Sequence, residues 1–264
     1  MKVYIINISD SPASISLEET KKGESFLQDN KYIYENKSTL ARKESITLFN
    51  DILKSWEKEI ILFSSWGTQS INNTYSLGNE IWYEKIIIWF SDTLHIQAKY
   101  HDSESILNIY WITLRNIFLL VGDNLKLFQS YINDKEYKIS LHVEYEKEKQ
   151  ISWRIYGGHL MIFVTTLLMY NAYPKNGDIL YLEFHGIPSN FIYYYLNILK
   201  NKWVFDLCSW VICDIGFDAD IDRDTIIKYM WEIKGINIYI ADSIPFIPLY
   251  QKMNIQKWLL TLIK

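Results

Sequence analysis

The stretch KISLHVEYEKEKQISWRIY, residues 138–156, decides the predicted fold. Apolar and polar side chains alternate on both sides of its polar break at 147–150, and a period of two is typical of a half-buried strand. Two such strands joined by a short polar segment predict a β-hairpin. A hairpin in a chain that also carries helical patterns indicates an α+β protein with antiparallel pairing.

Outward from this hairpin, the C-terminal half alternates strand and helix patterns. Ser189 follows Pro188 and is expected to start a helix that runs to about Asn201. The remaining predictions are strands at 178–186, 210–217 and 236–241, a helix on the apolar positions 226–233, and a short closing helix at 257–264.

The N-terminal half is predicted to be mainly helical after an opening strand. Helical spacing suggests a helix from Ser38 to about Glu59 and a second on Trp82, Ile86 and Trp89. A third helix is expected from about Ser103, with a strand as the alternative because of its Ile and Tyr content. The expected fold is therefore α+β: a mainly helical N-terminal half, then a mixed, largely antiparallel sheet with packed helices. Residues 1–264 are expected to form a single compact domain, with two lobes, 1–135 and 136–264, as the alternative.

Composition limits the function. Hydrophobic residues make up 49% of the 264 residues and aromatic ones 16%, so a disordered chain is excluded. The formal charge is −4, from 27 basic and 31 acidic residues, and a nucleic-acid-binding protein would be expected to show a basic stripe. We therefore expect no direct contact with nucleic acid.

The most apolar long segment, 106–122, contains Arg115 and is too short to cross a bilayer without penalty. Cys208 and Cys213 are spaced poorly for a local disulfide or a zinc site, which favours two buried free thiols in a reducing compartment. The sequence predicts a soluble cytoplasmic protein without membrane contact.

A row of aspartates in GFDADIDRDT, residues 216–225, is the most distinctive polar feature. Five aspartates lie within 214–224 beside one arginine, a local charge equal to that of the whole chain. They are Asp214, Asp218, Asp220, Asp222 and Asp224. An EF-hand loop counted from Asp218 fails, because Arg223 and Tyr229 stand where glycine and glutamate are needed. The row predicts an acidic edge that docks a basic protein partner or caps a helix.

A second candidate site is the set Asp178, Glu183 and His185 on the strand at 178–186. A Glu–His pair on one strand face can orient an imidazole for base catalysis or, with a further carboxylate, bind a metal. The Gly-Gly-His at 157–159 is interpreted as a turn after a strand. The nucleophile elbow, phosphate loop, zincin helix and dinucleotide-binding turn are all absent from the sequence.

Without a catalytic motif, the aromatic and mildly acidic chain resembles, in general character, the immunity proteins of bacterial toxin systems. The resemblance implies a non-enzymatic cytosolic inhibitor that needs no cofactor and covers a basic toxin domain with its acidic, aromatic surface. One alternative is a metal-dependent hydrolase or nuclease that uses Asp178, Glu183 and His185. The other alternative is a structural or assembly protein of a phage or secretion system.

Overall fold

The structure is a computed structural model in which the chain folds into two compact units. The first unit comprises Met1–Ile132 and Phe246–Pro248, and the second comprises Asn133–Pro245 and Leu249–Lys264. The residues that the structure describes are 1–8, 16–64, 77–89, 99–100, 103, 105–110, 112–133, 138–140, 142–143, 151–215, 221–234, 237–241, 247–249, 252–256 and 259–262.

The first unit contains a sheet whose strand order is β12-β5-β4-β3-β1-β2. Its strands are β1 Lys2–Ile6, β2 Ile33–Asn36, β3 Glu59–Phe63, β4 Lys85–Trp89, β5 Ile106–Tyr110 and β12 Ile247–Leu249. Strands β1 to β5 pair in parallel. All five residues of β3 are buried, as expected for a strand of a parallel sheet that is covered on both faces.

Helices connect the parallel strands of the first unit. Helix α1 (Leu17–Asp29) joins β1 to β2, and α2 (Arg42–Leu53) joins β2 to β3. A 3-10 helix, Ile117–Leu119, and α3, Gly122–Ile132, follow β5. At the start of α1 the Ser16 hydroxyl accepts from the Glu19 amide at 3.1 Å, and the Glu19 carboxylate accepts from the Ser16 amide at 2.9 Å. This capping box fixes where the helix begins.

The prediction of a mainly helical N-terminal half is wrong. The helix expected on Trp82, Ile86 and Trp89 is strand β4, and in the segment after Ser103 the strand alternative is the correct one, as β5. Short runs rich in isoleucine fit either a buried helix or a buried strand by periodicity alone. The β-branched side chains, buried in the middle of the sheet, favour the strand.

The second unit contains a sheet of order β6-β14-β13-β8-β9-β10-β11-β7. Its strands are β6 Lys138–Ser140, β7 His142–Val143, β8 Ile151–His159, β9 Ile179–Glu183, β10 Trp210–Asp214, β11 Asn237–Ala241, β13 Lys252–Gln256 and β14 Leu259–Leu262. The central strands β8 to β11 are parallel, and antiparallel strands flank them on both sides. The predicted α+β class with a largely antiparallel sheet is therefore wrong, because the strands that alternate with helices are parallel, which defines an α/β fold.

The predicted hairpin is also wrong. Strand β7 pairs with β11, and β8 pairs with β9 and β13. The expected turn at 147–150 lies outside the described residues. Alternation of apolar and polar residues identifies a strand but carries no information about its partner. The closing helix expected at 257–264 is likewise a strand, β14, over its described residues.

The helices of the second unit are α4 Leu160–Tyr170, α5 Ser189–Asn201, α6 Val204–Leu207 and α7 Arg223–Lys234. Helix α5 has the predicted bounds and buries Ile192, Leu196 and Leu199. Helices α4 and α5 stand between consecutive parallel strands, as βαβ connections require. Among the described residues, none of the helices is long and apolar enough to span a membrane.

Stability is expected to fall in strong alkali because Tyr239 is buried in β11. Its side chain is 3% exposed and its ring lies 4.8 Å from that of Trp210. Burial raises the pKa of Tyr239 from 10.0 to about 12. The folded-state pKa exceeds the unfolded one, so the tyrosine's contribution is complete below pH 10 and is lost between pH 10 and 12.

We expect the loss of unfolding free energy over that pH range to be smaller in Tyr239→Phe by about 1 to 3 kcal/mol. Urea unfolding at a series of pH values measures it, and Tyr194→Phe, on the exposed side of α5, is the matched control. An identical alkaline loss in wild type and Tyr239→Phe would contradict the expectation.

Candidate active site

Three titratable residues end three neighbouring parallel strands of the second unit. His159 is the last residue of β8, Glu183 of β9 and Asp214 of β10. The register pairs His159 with Glu183, and Glu183 with Asp214. Register partners in a parallel sheet project to the same face, and neighbouring strands are about 4.8 Å apart. We call these three residues the carboxyl-edge triad. Ligands of open α/β sheets bind at such an edge.

Two glycines bring His159 to this position. Gly157 and Gly158, the residues before it, have φ angles of 133° and 147°, which side-chain-bearing residues rarely adopt. A Cβ atom on Gly157 would lie 2.0 Å from the backbone oxygen of Tyr181. Strands β8 and β9 therefore approach as closely as they do because residue 157 has no side chain, and the chain then turns at His159 into helix α4.

The hydrogen bond of His159 identifies which ring nitrogen can accept a proton. Nε2 of His159 lies 3.0 Å from the backbone oxygen of His185. A carbonyl oxygen only accepts, so Nε2 carries the hydrogen, and in the neutral ring Nδ1 is then the basic nitrogen. Nδ1 is buried. The imidazole is thus oriented with a buried basic nitrogen beside the edge of the sheet.

The loop after β9 supplies the carbonyl that holds His159. Phe184 donates its amide to the backbone oxygen of Asp214 at 3.0 Å, and Ile187 donates to the backbone oxygen of Phe184. Gly186, between them, has a φ of 62°. The left-handed turn at Gly186 places the His185 carbonyl toward β8 rather than along the strand.

The two carboxylates of the triad are both buried, Glu183 at 2% and Asp214 at 1% exposure. The Tyr181 hydroxyl donates to Oδ2 of Asp214 at 2.9 Å and orients that carboxylate. Burial first, and then the negative charge of Asp214, raise the pKa of the Cys213 thiol. A neutral buried thiol is a poor nucleophile, so the chemistry available here is that of an imidazole beside a row of two carboxylates.

The structure separates the predicted set Asp178, Glu183 and His185. Asp178 precedes β9 and is buried in a forked ion pair, in which Nε and Nη2 of Arg154 lie 3.2 and 2.7 Å from its two oxygens. Glu183 ends the same strand, about 16 Å away at 3.3 Å per residue. The structure therefore does not bring these three side chains together at one point. Among the described residues, no group of three or more acidic, histidine or cysteine residues could hold a metal ion.

The described aspartates of the predicted acidic row do not lie together on one surface. Asp214 is buried in the triad, while Asp222 and Asp224 are exposed at the start of α7; Asp218 and Asp220 lie outside the described residues. Asp222 caps the helix, because its carboxylate accepts from the Thr225 amide at 2.9 Å and from the Thr225 hydroxyl at 2.6 Å. These hydrogen bonds lower the pKa of Asp222. Partner binding by the row stays a prediction.

Sequence reasoning missed His159 because Gly-Gly-His resembles a turn. One signal could have found the site: His159 follows closely on the strand predicted at 151–156, and Glu183 and Asp214 lie in the C-terminal halves of the strands predicted at 178–186 and 210–217. Had these strands been recognised as parallel neighbours, the three residues would have been expected near one edge of the sheet.

No model of a protein family matches the chain, and no curated protein matches it. Solved structures do match. The microcin C7 self immunity protein MccF in complex with aspartyl sulfamoyl adenosine has a TM-score of 0.77 at 18% identity, over 100% of this chain and 96% of that chain. A MccF-like protein from Streptococcus pneumoniae in complex with AMP has a TM-score of 0.79 at 15% identity, over 99% and 98%. Muramoyltetrapeptide carboxypeptidase from Oxalobacter formigenes has a TM-score of 0.76 at 12% identity, over 99% and 98%.

These structures overturn three predictions made from the sequence. The non-enzymatic inhibitor and the expectation of no enzyme are wrong, since the similar proteins include a carboxypeptidase, which hydrolyses peptide bonds. The basic toxin domain as partner is wrong, since the ligands bound to the similar proteins are small molecules. Several of the similar structures are microcin C7 self immunity proteins. The chain has the α/β fold of the MccF immunity proteins and of muramoyltetrapeptide carboxypeptidase.

Proposed function

We propose that this protein is a hydrolase that cleaves an amide-type bond joining an amino acid to the rest of a small substrate, and that the carboxyl-edge triad carries the proton transfer. The observation that supports this most directly is the placement of His159 beside Glu183, with Nε2 hydrogen-bonded to a carbonyl and Nδ1 basic. The likeness in fold to a carboxypeptidase agrees with this chemistry.

In the proposed reaction, substrate binding opens the edge of the sheet so that Nδ1 of His159, buried in the free protein, is reached by an oxygen nucleophile. Nδ1 then takes the proton of that nucleophile as the oxygen adds to the carbonyl carbon of the substrate. The carbonyl oxygen gains the negative charge, and the imidazole becomes an imidazolium. The protonated Nδ1 then gives its proton to the leaving nitrogen as the carbon–nitrogen bond breaks, which restores the neutral ring. Proton transfer by His159 is the same whether the attacking oxygen belongs to water or to a side-chain hydroxyl.

The carboxylates stabilise the charge that forms on the imidazole. Glu183 is the register neighbour of His159, and Asp214 is the next neighbour along the same edge. A negative charge on the neighbouring strand, about 5 Å away, and a second charge one strand further favour formation of the imidazolium in a buried site. The hydroxyl of Tyr181 keeps Asp214 oriented, so its charge is in place before the substrate binds.

Two substrate classes share the proposed bond. The MccF structures hold aspartyl sulfamoyl adenosine and glutamyl sulfamoyl guanosine, in which an acidic aminoacyl group is linked to a nucleoside. The carboxypeptidase is named for a muramoyl tetrapeptide. We favour an aminoacyl nucleotide, whose hydrolysis would make the protein an immunity enzyme against a small nucleotide-linked toxin. A tetrapeptide is the second candidate. Cytoplasmic location stays a prediction from the sequence.

A substrate panel tests the proposal. Purified protein is incubated with aspartyl and glutamyl phosphoramidates of adenosine and with a muramoyl tetrapeptide, and released amino acid is followed by mass spectrometry. We expect turnover of one class. The protein with Glu183→Gln serves as the blank, since it keeps the shape of the site without the charge. Equal release by wild type and blank on every substrate, with both proteins folded by circular dichroism, would reject the proposed function.

A further inference from the structure

Helix α4 of the second unit carries apolar side chains on its exposed side as well as on its buried side. Its sequence, LMIFVTTLLMY, contains no charged residue. Met161, Leu168 and Met169 are 40, 49 and 54% exposed, and at 3.6 residues per turn they lie within about 100° of one another around the helix. A helix that is apolar all round is normally buried, and its 11 residues are too few to cross a bilayer. The exposed side of α4 therefore indicates a surface that another protein surface covers.

Helix α5 adds aromatic rings to this exposed surface. Phe191 is 48% exposed and Tyr194 is 58% exposed. Both rings contact the ring of Tyr195, Phe191 in a stacked arrangement at 6.3 Å and Tyr194 edge-on at 5.4 Å between centroids. These contacts hold the rings in place, so they lose little side-chain entropy when a partner covers them.

The exposed residues of the two helices are adjacent. The strand order β8-β9-β10-β11, with right-handed crossovers, places α4, α5 and α7 side by side on one face of the sheet, and α4 packs against α5. On the side of α5 toward α7, the ring of Tyr193 contacts that of Tyr229 at 5.0 Å. Phe191 and Tyr195 are each two residues from Tyr193, about 160° around the helix, so they face α4. We call the exposed set the α4–α5 patch, which consists of Met161, Leu168, Met169, Phe191 and Tyr194.

The area of the α4–α5 patch is sufficient for a contact between two copies of the chain. Its five side chains are about half exposed, and at roughly 200 Å² each they present about 500 Å² of apolar surface per chain. Monomeric proteins rarely expose contiguous apolar patches larger than a few hundred Å². Two copies in contact would bury about 1,000 Å² from these residues alone, which is the size at which specific interfaces begin.

The near absence of charge selects a second copy as the occupant. The only charged residue of α4 and α5 is Lys200, in the last turn of α5. Interfaces between copies of one chain are more apolar than those between different proteins that associate transiently, and charge is depleted at their centre. Helices that lie on a membrane surface carry several lysines or arginines on their polar face, which these two do not.

We propose that the α4–α5 patch is the interface of a homodimer with two-fold symmetry. A two-fold axis that lies in the interface and runs along the helices places α4 of each copy over α5 of the other. The flexible side chains of Met161 and Met169 then meet the rings of Phe191 and Tyr194, and contacts between a thioether sulfur and an aromatic ring are favourable. The patch is thus complementary to itself. This interface is independent of the proposed hydrolase activity.

Sedimentation equilibrium of the full chain tests the homodimer. We expect a reversible monomer–dimer equilibrium with a Kd of about 1 to 10 μM. Leu168→Glu and Tyr194→Glu should each weaken it about tenfold or more, because the dimer would bury a carboxylate without a partner. Leu119→Glu is the matched control, since it makes the same change at a position that is 64% exposed and belongs to the first unit. Its Kd should equal that of the wild type, and circular dichroism shows that each variant is folded.

Three results would overturn the proposed homodimer. One is a wild-type protein that stays monomeric at about 100 μM. Another is a dimer whose Kd is unchanged in both Leu168→Glu and Tyr194→Glu, or equally weakened in Leu119→Glu. The third is a wild-type monomer that binds phosphatidylcholine vesicles and loses this binding in Leu168→Glu, which would assign the patch to a lipid surface. Sedimentation detects association whether or not any substrate is hydrolysed, so failure of the homodimer is distinguishable from failure of the proposed function.

Discussion

Replacement of His159 by asparagine is expected to lower kcat for the substrate that the panel identifies by a factor of about 10² to 10⁴. Asparagine has no nitrogen that accepts a proton near neutral pH, and its shorter side chain also gives up the hydrogen bond that Nε2 makes to the backbone oxygen of His185. The loss should therefore fall on kcat, with KM changed little, because binding of the ground state does not need the base.

Glu183→Gln is expected to lower kcat as well, by a factor of about 10². The substitution removes one charge that stabilises the imidazolium but leaves the base in place. Asp224→Asn makes the same chemical change at an exposed position in the first turn of α7 and should leave kcat at its wild-type value. Steady-state kinetics of the three variants and of the wild type measure these effects.

Two outcomes would contradict the assignment. If His159→Asn kept more than about a tenth of the wild-type kcat, His159 would not be the general base. If Asp224→Asn lost as much activity as Glu183→Gln, the effect would come from overall charge rather than from the edge of the sheet. Unfolding curves of all the variants show whether each loss of activity occurs in a folded protein.

Gly157→Ala is expected to lower the free energy of unfolding by about 3 to 5 kcal/mol. The new Cβ would lie 2.0 Å from the backbone oxygen of Tyr181 and about 3 Å from that residue's carbonyl carbon and amide nitrogen. The φ of 133° is itself unfavourable for alanine. Strands β8 and β9 would have to separate, and both are central strands of the second unit's sheet.

Gly122→Ala separates the steric clash of the new Cβ from the cost of a positive φ. Gly122 also has a positive φ, 56°, but a Cβ there meets no atom within 4 Å. It should cost only about 1 to 2 kcal/mol, the penalty of the left-handed conformation. Urea unfolding of both variants gives the comparison. A Gly157→Ala protein as stable as Gly122→Ala would mean that the strands adjust without cost, and the close approach would not be what positions His159.

The sequence by itself determined those helices and strands that short-range sequence patterns identify. Helix α5 is recognisable because Pro188 and Ser189 start it and apolar residues recur at helical spacing, and β9, β10 and β11 are recognisable as apolar runs between polar breaks. The same signals misassigned β4 and β5, since an isoleucine-rich run that is buried on both faces has no alternation to distinguish it from a helix.

Only the tertiary structure decided which strands are neighbours, and the candidate site depends on that. His159, Glu183 and Asp214 are separated by more than twenty residues each along the chain, and each alone is an ordinary polar residue after a strand. The predicted β7–β8 hairpin gave no indication that β8 pairs in parallel with β9, and this pairing is what brings His159 beside Glu183. Side-chain patterns determine which face of a sheet a residue occupies. The order and direction of the strands depend on how all the strands are buried under their crossover helices, and this is a property of the whole chain.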